Sequence, residues 1–397
     1  MKTHRSRVGG VNRAPHLLAA LLTLSAAAHA TTPKPEPLKL VVRTTEPKLQ
    51  KGKVTDVPVV KSWTLNAQAV ARSRKYGKLS STLNLDHIFN DIERRAPRPA
   101  TFRNVKGSWV ATQQTGWRVD RVATKKALLN ALQDGKGEVK VTLNHVVPAR
   151  NVRTLAERGV LYHVASGTSS FRGSPDFRVT NIIVGAQKLD NFFIAPGHTF
   201  DFNKEVGVIN AQTGFVKGFV ISGGTLSKED GGGICQVSTT IFRAMYQAGL
   251  PVVERHEHSH RVHYYDPVGF EATVYAPTKN LRMKNDTDKH LFVQASWDKR
   301  AQTLRFDLFG AQPDRTVNIS KPVVTNFKAP APATYTPDPR VRVGGRRLLD
   351  QPMQGMTSVI TRTVKLPGGQ VRKDTLKSVY KPWGAVYGVN PRDNRLR

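Results

Sequence analysis

The sequence predicts an α+β protein with a mixed β-rich core, in which one cysteine-bearing helix packs on antiparallel strands and small modules flank the core. Three observations carry this. Val237, Ile241, Ala244, Met245 and Ala248 recur at helical spacing immediately after Gly231-Gly232-Gly233, up to a stop at Gly249. Short runs with period-two alternation lie on both sides, among them Thr199-Phe200-Asp201-Phe202-Asn203 and Leu291-Phe292-Val293-Gln294-Ala295-Ser296-Trp297. Pro-rich stretches at 31–37 and 327–339 read as linkers around the patterned centre.

In chain order, residues 1–30 read as a secretory signal peptide. Lys2, Arg5, Arg7 and Arg13 supply the charged start, Leu17 to Ala28 the short apolar run, and Ala28-His29-Ala30 a small-x-small cleavage site. No later stretch is apolar enough to span a bilayer. Residues 38–160 form an N-terminal α+β region. Leu38–Arg43 and Val54–Val60 read as strands, and Leu85, Ile88, Phe89 and Ile92 as one face of a helix stopped before Pro97. Ser108–Thr112 reads as a strand and Asp120 caps a helix carrying Leu128 and Leu132. Val139, Val141 and Leu143 alternate in a further strand.

The core spans 162–310. Phe177–Leu189 reads as a helix, Phe215–Ile221 as a strand ending at a Gly223-Gly224 loop, and Gly269–Tyr275 as a strand. After the Pro/Ala linker at 327–339 comes a small β-rich tail at 340–397. There Ser358–Val364 and Ser378–Pro382 flank a turn at Pro367-Gly368-Gly369, and the tail has too few large apolar residues to stand without its neighbour.

Charge and cysteine usage narrow the function. Lys and Arg number 61 against 29 Asp and Glu, a formal charge of +32. Such an excess suits an anionic partner, but no nucleic-acid motif or aromatic–basic repeat is present. With export, the expected partner is peptidoglycan or another anionic cell-wall polymer, and the expected location is the periplasm, cell wall or extracellular space. Cys235 is the only cysteine, which excludes an intrachain disulfide and a cysteine-rich zinc site.

Cys235 falls at a helix start, where free N–H groups and the dipole favour a thiolate. Glu254-Arg255-His256-Glu257-His258-Ser259-His260, if extended, turns His256, His258 and His260 to one face. Cys235 with His258 or His256 would make a nucleophile–base pair, oriented by Glu271. Gly232, Gly233, Gln236, Ser238, Thr239 and Arg255 are candidates for binding substrate or an oxyanion. No cofactor is expected, though His256, His258 and His260 could share a metal ion instead. The other class of function is a non-catalytic wall-binding or scaffolding protein.

Arg178, Asn181, Pro196-Gly197-His198-Thr199-Phe200, Gly231 to Thr240, Glu254 to Ser259 and Ala272-Thr273-Val274 together resemble the VanW family, named for a protein found in some vancomycin-resistance clusters. The resemblance implies an exported or membrane-anchored envelope protein. It also implies an upstream module like those that bind peptidoglycan, here at about 101–160, and a C-terminal domain similar to the G5 type. It assigns no reaction. Two positions depart from the family's pattern: Glu271 stands where Asp is usual, and Asn280 stands where another Asp is usual.

Overall fold

A computed structural model describes residues 37–222 and 225–396. The signal peptide and the Gly223-Gly224 turn of the sequence reading lie outside these residues. Helices alternate with strands along the chain, and the strands form several mainly antiparallel sheets, an α+β architecture.

The centre is a four-stranded antiparallel sheet in the order Tyr162–Ser170, Thr303–Gly310, Leu291–Asp298, Phe192–Ile194. Alternation divides its side chains between two cores. Leu291, Val293, Leu304, Phe306 and Leu308 point to the core that holds the helix Ile234–Gln247. Phe292 and Phe309 point the other way, where Phe102 stacks on Phe309 at 3.9 Å.

That second core ties the sheet to the N-terminal region, built on the hairpin Lys39–Gln50 and Lys53–Thr64 and the helices Leu85–Glu93 and Arg121–Gln133. Asp120 caps the second helix through the Ala123 N–H at 2.9 Å.

The helix Ile234–Gln247 packs backbone to backbone on the sheet. A Cβ on Gly167 would lie 2.0 Å from the Thr240 carbonyl oxygen, so only glycine permits this approach. Gly249, at φ 75°, turns the chain away after the helix.

Several local expectations change. Thr199–Asp201 is a strand, but Phe202–Val206 is a short helix capped by Asp201, because the Asp201 carboxylate accepts from the Lys204 N–H. The strand Lys217–Ser222 pairs with Thr225–Asp230, so a hairpin precedes the cysteine helix. Residues 255–262 and 269–275 are irregular, with a single β-bridge between them, His256 to Thr273. Their polar side chains bond to neighbouring loops rather than extending a ladder.

Residues 327–339 are not a free linker. Val323–Lys328 pairs with Gly355–Lys365, and Thr334–Pro337 pairs with Val386–Val389. The C-terminal strands start at Thr316–Ile319, and Gly355–Lys365 pairs on its other edge with Val371–Tyr380. Ile360 and Leu376 from this hairpin enter the core of the cysteine helix. Among the described residues no helix is long and apolar enough to cross a membrane.

Candidate active site around Cys235

The glycine run sets the entry to the cysteine helix. Gly231 and Gly233 take φ of 84° and 114°, values that only glycine adopts readily. The buried Asn181 amide donates to the Val216 and Gly232 carbonyls at 2.9 and 3.0 Å and accepts from the Val216 N–H at 2.8 Å. These bonds pin the turn and deliver Cys235, half-buried, into the first turn of the helix.

Three groups surround the sulfur. The Thr273 hydroxyl lies 3.4 Å from Sγ, and the thiol donates to the Val274 carbonyl at 3.5 Å. The third is the His258 imidazole, the side chain that acts most strongly to lower the thiol. Burial pushes the thiol up, but the hydrogen bond and charge of His258, with help from Thr273 and Val274, hold it below its ordinary 9.0.

His258 is raised to about 9, although burial alone would lower it, because the Glu271 charge and the sulfur both favour imidazolium. Its Nδ1 lies 3.3 Å from Glu271 Oε2, an ion-pair contact bent from hydrogen-bond alignment. Glu271 is 2 % exposed. Burial raises its carboxyl, and His258, Tyr380 and Arg255 together bring it below the ordinary value. The three side chains thus form a line in which the imidazole stands between the sulfur and a buried carboxylate.

Two buried arginines hold the segment that carries Glu271. Arg243 donates to the Phe270, Tyr265, Asp266 and Thr168 carbonyls. Arg255 donates from Nε to the Glu271 carbonyl at 2.7 Å and from its other arm to the Gly269 carbonyl and the Ser378 hydroxyl. Arg255 therefore braces the loop instead of facing a cleft.

The remaining candidates separate from the sulfur. His256 Nε2 pairs with Glu254 Oε1 at 3.0 Å. His260 packs at a tilt against Trp383, ring centres 4.3 Å apart, and its Nδ1 contacts the Lys381 carbonyl, so the histidines diverge. No group of three metal-binding side chains occurs among the described residues. Gln236 is fully buried and donates to Ser169 Oγ at 3.1 Å, turned into the core by its place on the helix. Ser238 and Thr239 donate to the Ala272 carbonyl, and Thr239 accepts from the Ala272 N–H. Gly232 and Gly233 shape the turn. Asn280 bonds to Asp201, Asn203 and Leu281, remote from the imidazole in its hydrogen bonding.

Sequence reasoning missed Thr273, Tyr265, which stacks on His258 at 4.8 Å, and Tyr380, whose hydroxyl donates to Glu271 Oε1 at 2.6 Å. Thr273 lay inside a recognised segment, but nothing in the spacing of Tyr380 links it to residue 271.

The family model described as VanW like protein matches residues 177–308. The chain is 33% identical over 166 residues to the uncharacterized protein YoaR of Bacillus subtilis, covering 41% of this chain and 53% of that protein. It is 29% identical over 116 residues to the vancomycin B-type resistance protein VanW of Enterococcus faecalis, covering 28% of this chain and 42% of that protein. The chain thus spans about half the length of the curated relatives it matches. Residues 177–308 are a VanW-like domain by this match, and both relatives support it.

Proposed function

We propose that this is an exported envelope protein in which Cys235 is the nucleophile of a peptidoglycan amide hydrolase or transferase. The observation that carries the reading is the single imidazole, His258, which acts on the sulfur on one side and faces a buried carboxylate at 3.3 Å on the other. The basic charge of +32 supports an anionic wall polymer as the partner.

In the reaction, the Cys235 thiolate adds to the amide carbonyl carbon, and the carbonyl oxygen takes up the negative charge. The N–H groups of Ile234 and Gln236 already bond to the Gly231 and Gly233 carbonyls. The oxyanion role therefore falls to the Cys235 N–H in the first turn of the helix. The C–N bond then breaks, the His258 imidazolium gives its proton to the departing amine, and a thioester remains on Cys235. Neutral His258 next takes a proton from water, whose oxygen forms the new acid and releases the thiolate. An amine in place of water gives transfer. Glu271 keeps the ring oriented and stabilises its charged form throughout.

The test is incubation of purified sacculi with the full chain and with Cys235→Ala, followed by mass spectrometry of released and residual muropeptides. New amine and carboxyl ends with the unmodified protein alone support the reading. Retained wall binding with identical muropeptides for both proteins would replace it with the non-catalytic wall-binding one.

A further inference from the structure

We infer that Tyr380, contributed from outside the family-matched segment, is a positioning residue whose hydroxyl fixes the Glu271 carboxylate against His258. The inference rests on the Cys235–His258–Glu271 reading above.

Glu271 has two carboxylate oxygens with different tasks. Oε1 accepts from the Tyr380 hydroxyl at 2.6 Å and faces the His258 backbone N–H at 3.4 Å. Oε2 is left to meet the imidazole Nδ1 at 3.3 Å. The Tyr380 hydroxyl is itself oriented, because it accepts from the Gly269 N–H at 2.9 Å. A buried hydroxyl with both its donor and acceptor roles filled fixes the carboxylate plane more firmly than packing alone.

The strand that bears Tyr380 is anchored to the same loops. Ser378, two residues earlier and on the same face of the strand, accepts from Arg255, which also holds the Glu271 carbonyl. Just beyond Tyr380, the Lys381 N–H donates to the Ser259 carbonyl at 2.8 Å. The C-terminal hairpin thereby grips the segment of His258 on one side and that of Glu271 on the other.

The charged and titratable neighbours of the carboxylate are His258, Tyr380 and Arg255, with Arg243 nearby. The imidazole faces Cys235, Glu271 and the Tyr265 ring. Without the Tyr380 hydroxyl, the carboxylate is free to turn from the ring. The imidazolium then loses stabilisation, and the thiolate loses its counter-charge.

The experiment measures iodoacetamide alkylation of Cys235 against pH in the full chain, in Tyr380→Phe, in Glu271→Gln and in the double variant. The expected result is a midpoint raised by about one pH unit in Tyr380→Phe, the size of one hydrogen bond to a charged group. Glu271→Gln should raise it at least as far, and the double variant no further than Glu271→Gln alone, because Tyr380 acts through Glu271. A folded Tyr380→Phe with an unmoved midpoint, or shifts that add in the double variant, would overturn the inference.

Should Tyr380→Phe fail to fold, tyrosine-labelled NMR decides. The unmodified protein should show a downfield, slowly exchanging Tyr380 hydroxyl proton that is lost in Glu271→Gln, and its absence overturns the inference. No substrate enters either readout. Inactivity on sacculi alongside the expected midpoints would remove the enzymatic reading and leave the positioning role of Tyr380 standing.

Discussion

Glu271 Oε2 lies 3.3 Å from His258 Nδ1, and both side chains are almost fully withdrawn from water. A buried carboxylate beside a neutral imidazole would carry a large desolvation cost, so the pair favours the charged ring. His258 also holds the Cys235 thiol below its ordinary value, against the effect of burial. Two buried guanidinium groups, Arg243 and Arg255, contribute to the positive surroundings of Glu271.

The pH dependence of stability follows with a definite sign. A folded-state His258 raised from 6.5 to about 9 binds an extra proton in that window, so by itself it makes stability fall as pH rises through about 9. The Cys235 thiol, lowered from 9.0, releases a proton early and makes stability rise above its folded value, until the unfolded thiol also ionises. The two cancel while the proton merely sits on nitrogen instead of sulfur. Thermal melts of the unmodified protein should therefore vary less with pH between 6.5 and about 9 than His258 alone would make them. Cys235→Ala should lose stability as pH rises across the upper part of that range, and a flat profile in both would contradict the ion pair.

Arg255→Lys should destabilise the protein by about 2–3 kcal/mol, since one ammonium cannot reach the Glu271 and Gly269 carbonyls and Ser378 Oγ together. Urea unfolding measures this directly. An unchanged midpoint would mean that the loop is held by other contacts.

Gly233→Ala should cost about 1–3 kcal/mol through backbone strain. At φ 114° a Cβ there would meet Arg178 Cγ at 2.9 Å and the Arg178 carbonyl oxygen at 3.2 Å. The distortion falls one residue before Ile234, so thiol reactivity should change along with stability. Calorimetry with alkylation kinetics on the same sample tests both.

A chain ended after Gly310 should not fold to a stable monomer. It loses Ile360 and Leu376 from the central core, and Arg362, which stacks on Tyr246 at 3.7 Å and donates to its carbonyl at 2.8 Å. Aggregation or a broad, non-cooperative melt is expected. A sharp transition with native circular dichroism would show that the C-terminal strands are dispensable.

How much was legible in the sequence depended on whether structure was set locally. The cysteine helix was readable because its buried face repeats every three to four residues from Val237 to Ala248 and glycines mark both ends. The hairpin Gly355–Lys365 with Val371–Tyr380 was readable in outline because β-branched residues flank Pro367-Gly368-Gly369. The segment 255–262 was misread as a strand because alternating His residues mimic period two. Its real conformation comes from distant partners, Lys381 and Trp383 among them. The short helix Phe202–Val206 was hidden for the opposite reason, being too brief to show a period. Within the candidate site, Cys235, His258 and Glu271 were named from residue type, while Tyr380 reaches Glu271 across 109 positions that no local pattern connects.

The most direct test of the Cys235–His258 pair is an ultraviolet titration of thiolate absorbance in the unmodified full chain and in His258→Ala. With a single cysteine, the signal has one source. The ion pair predicts a thiolate midpoint below the ordinary 9.0 that moves upward when His258 is removed. A midpoint at or above 9.0 that His258→Ala leaves in place would contradict it.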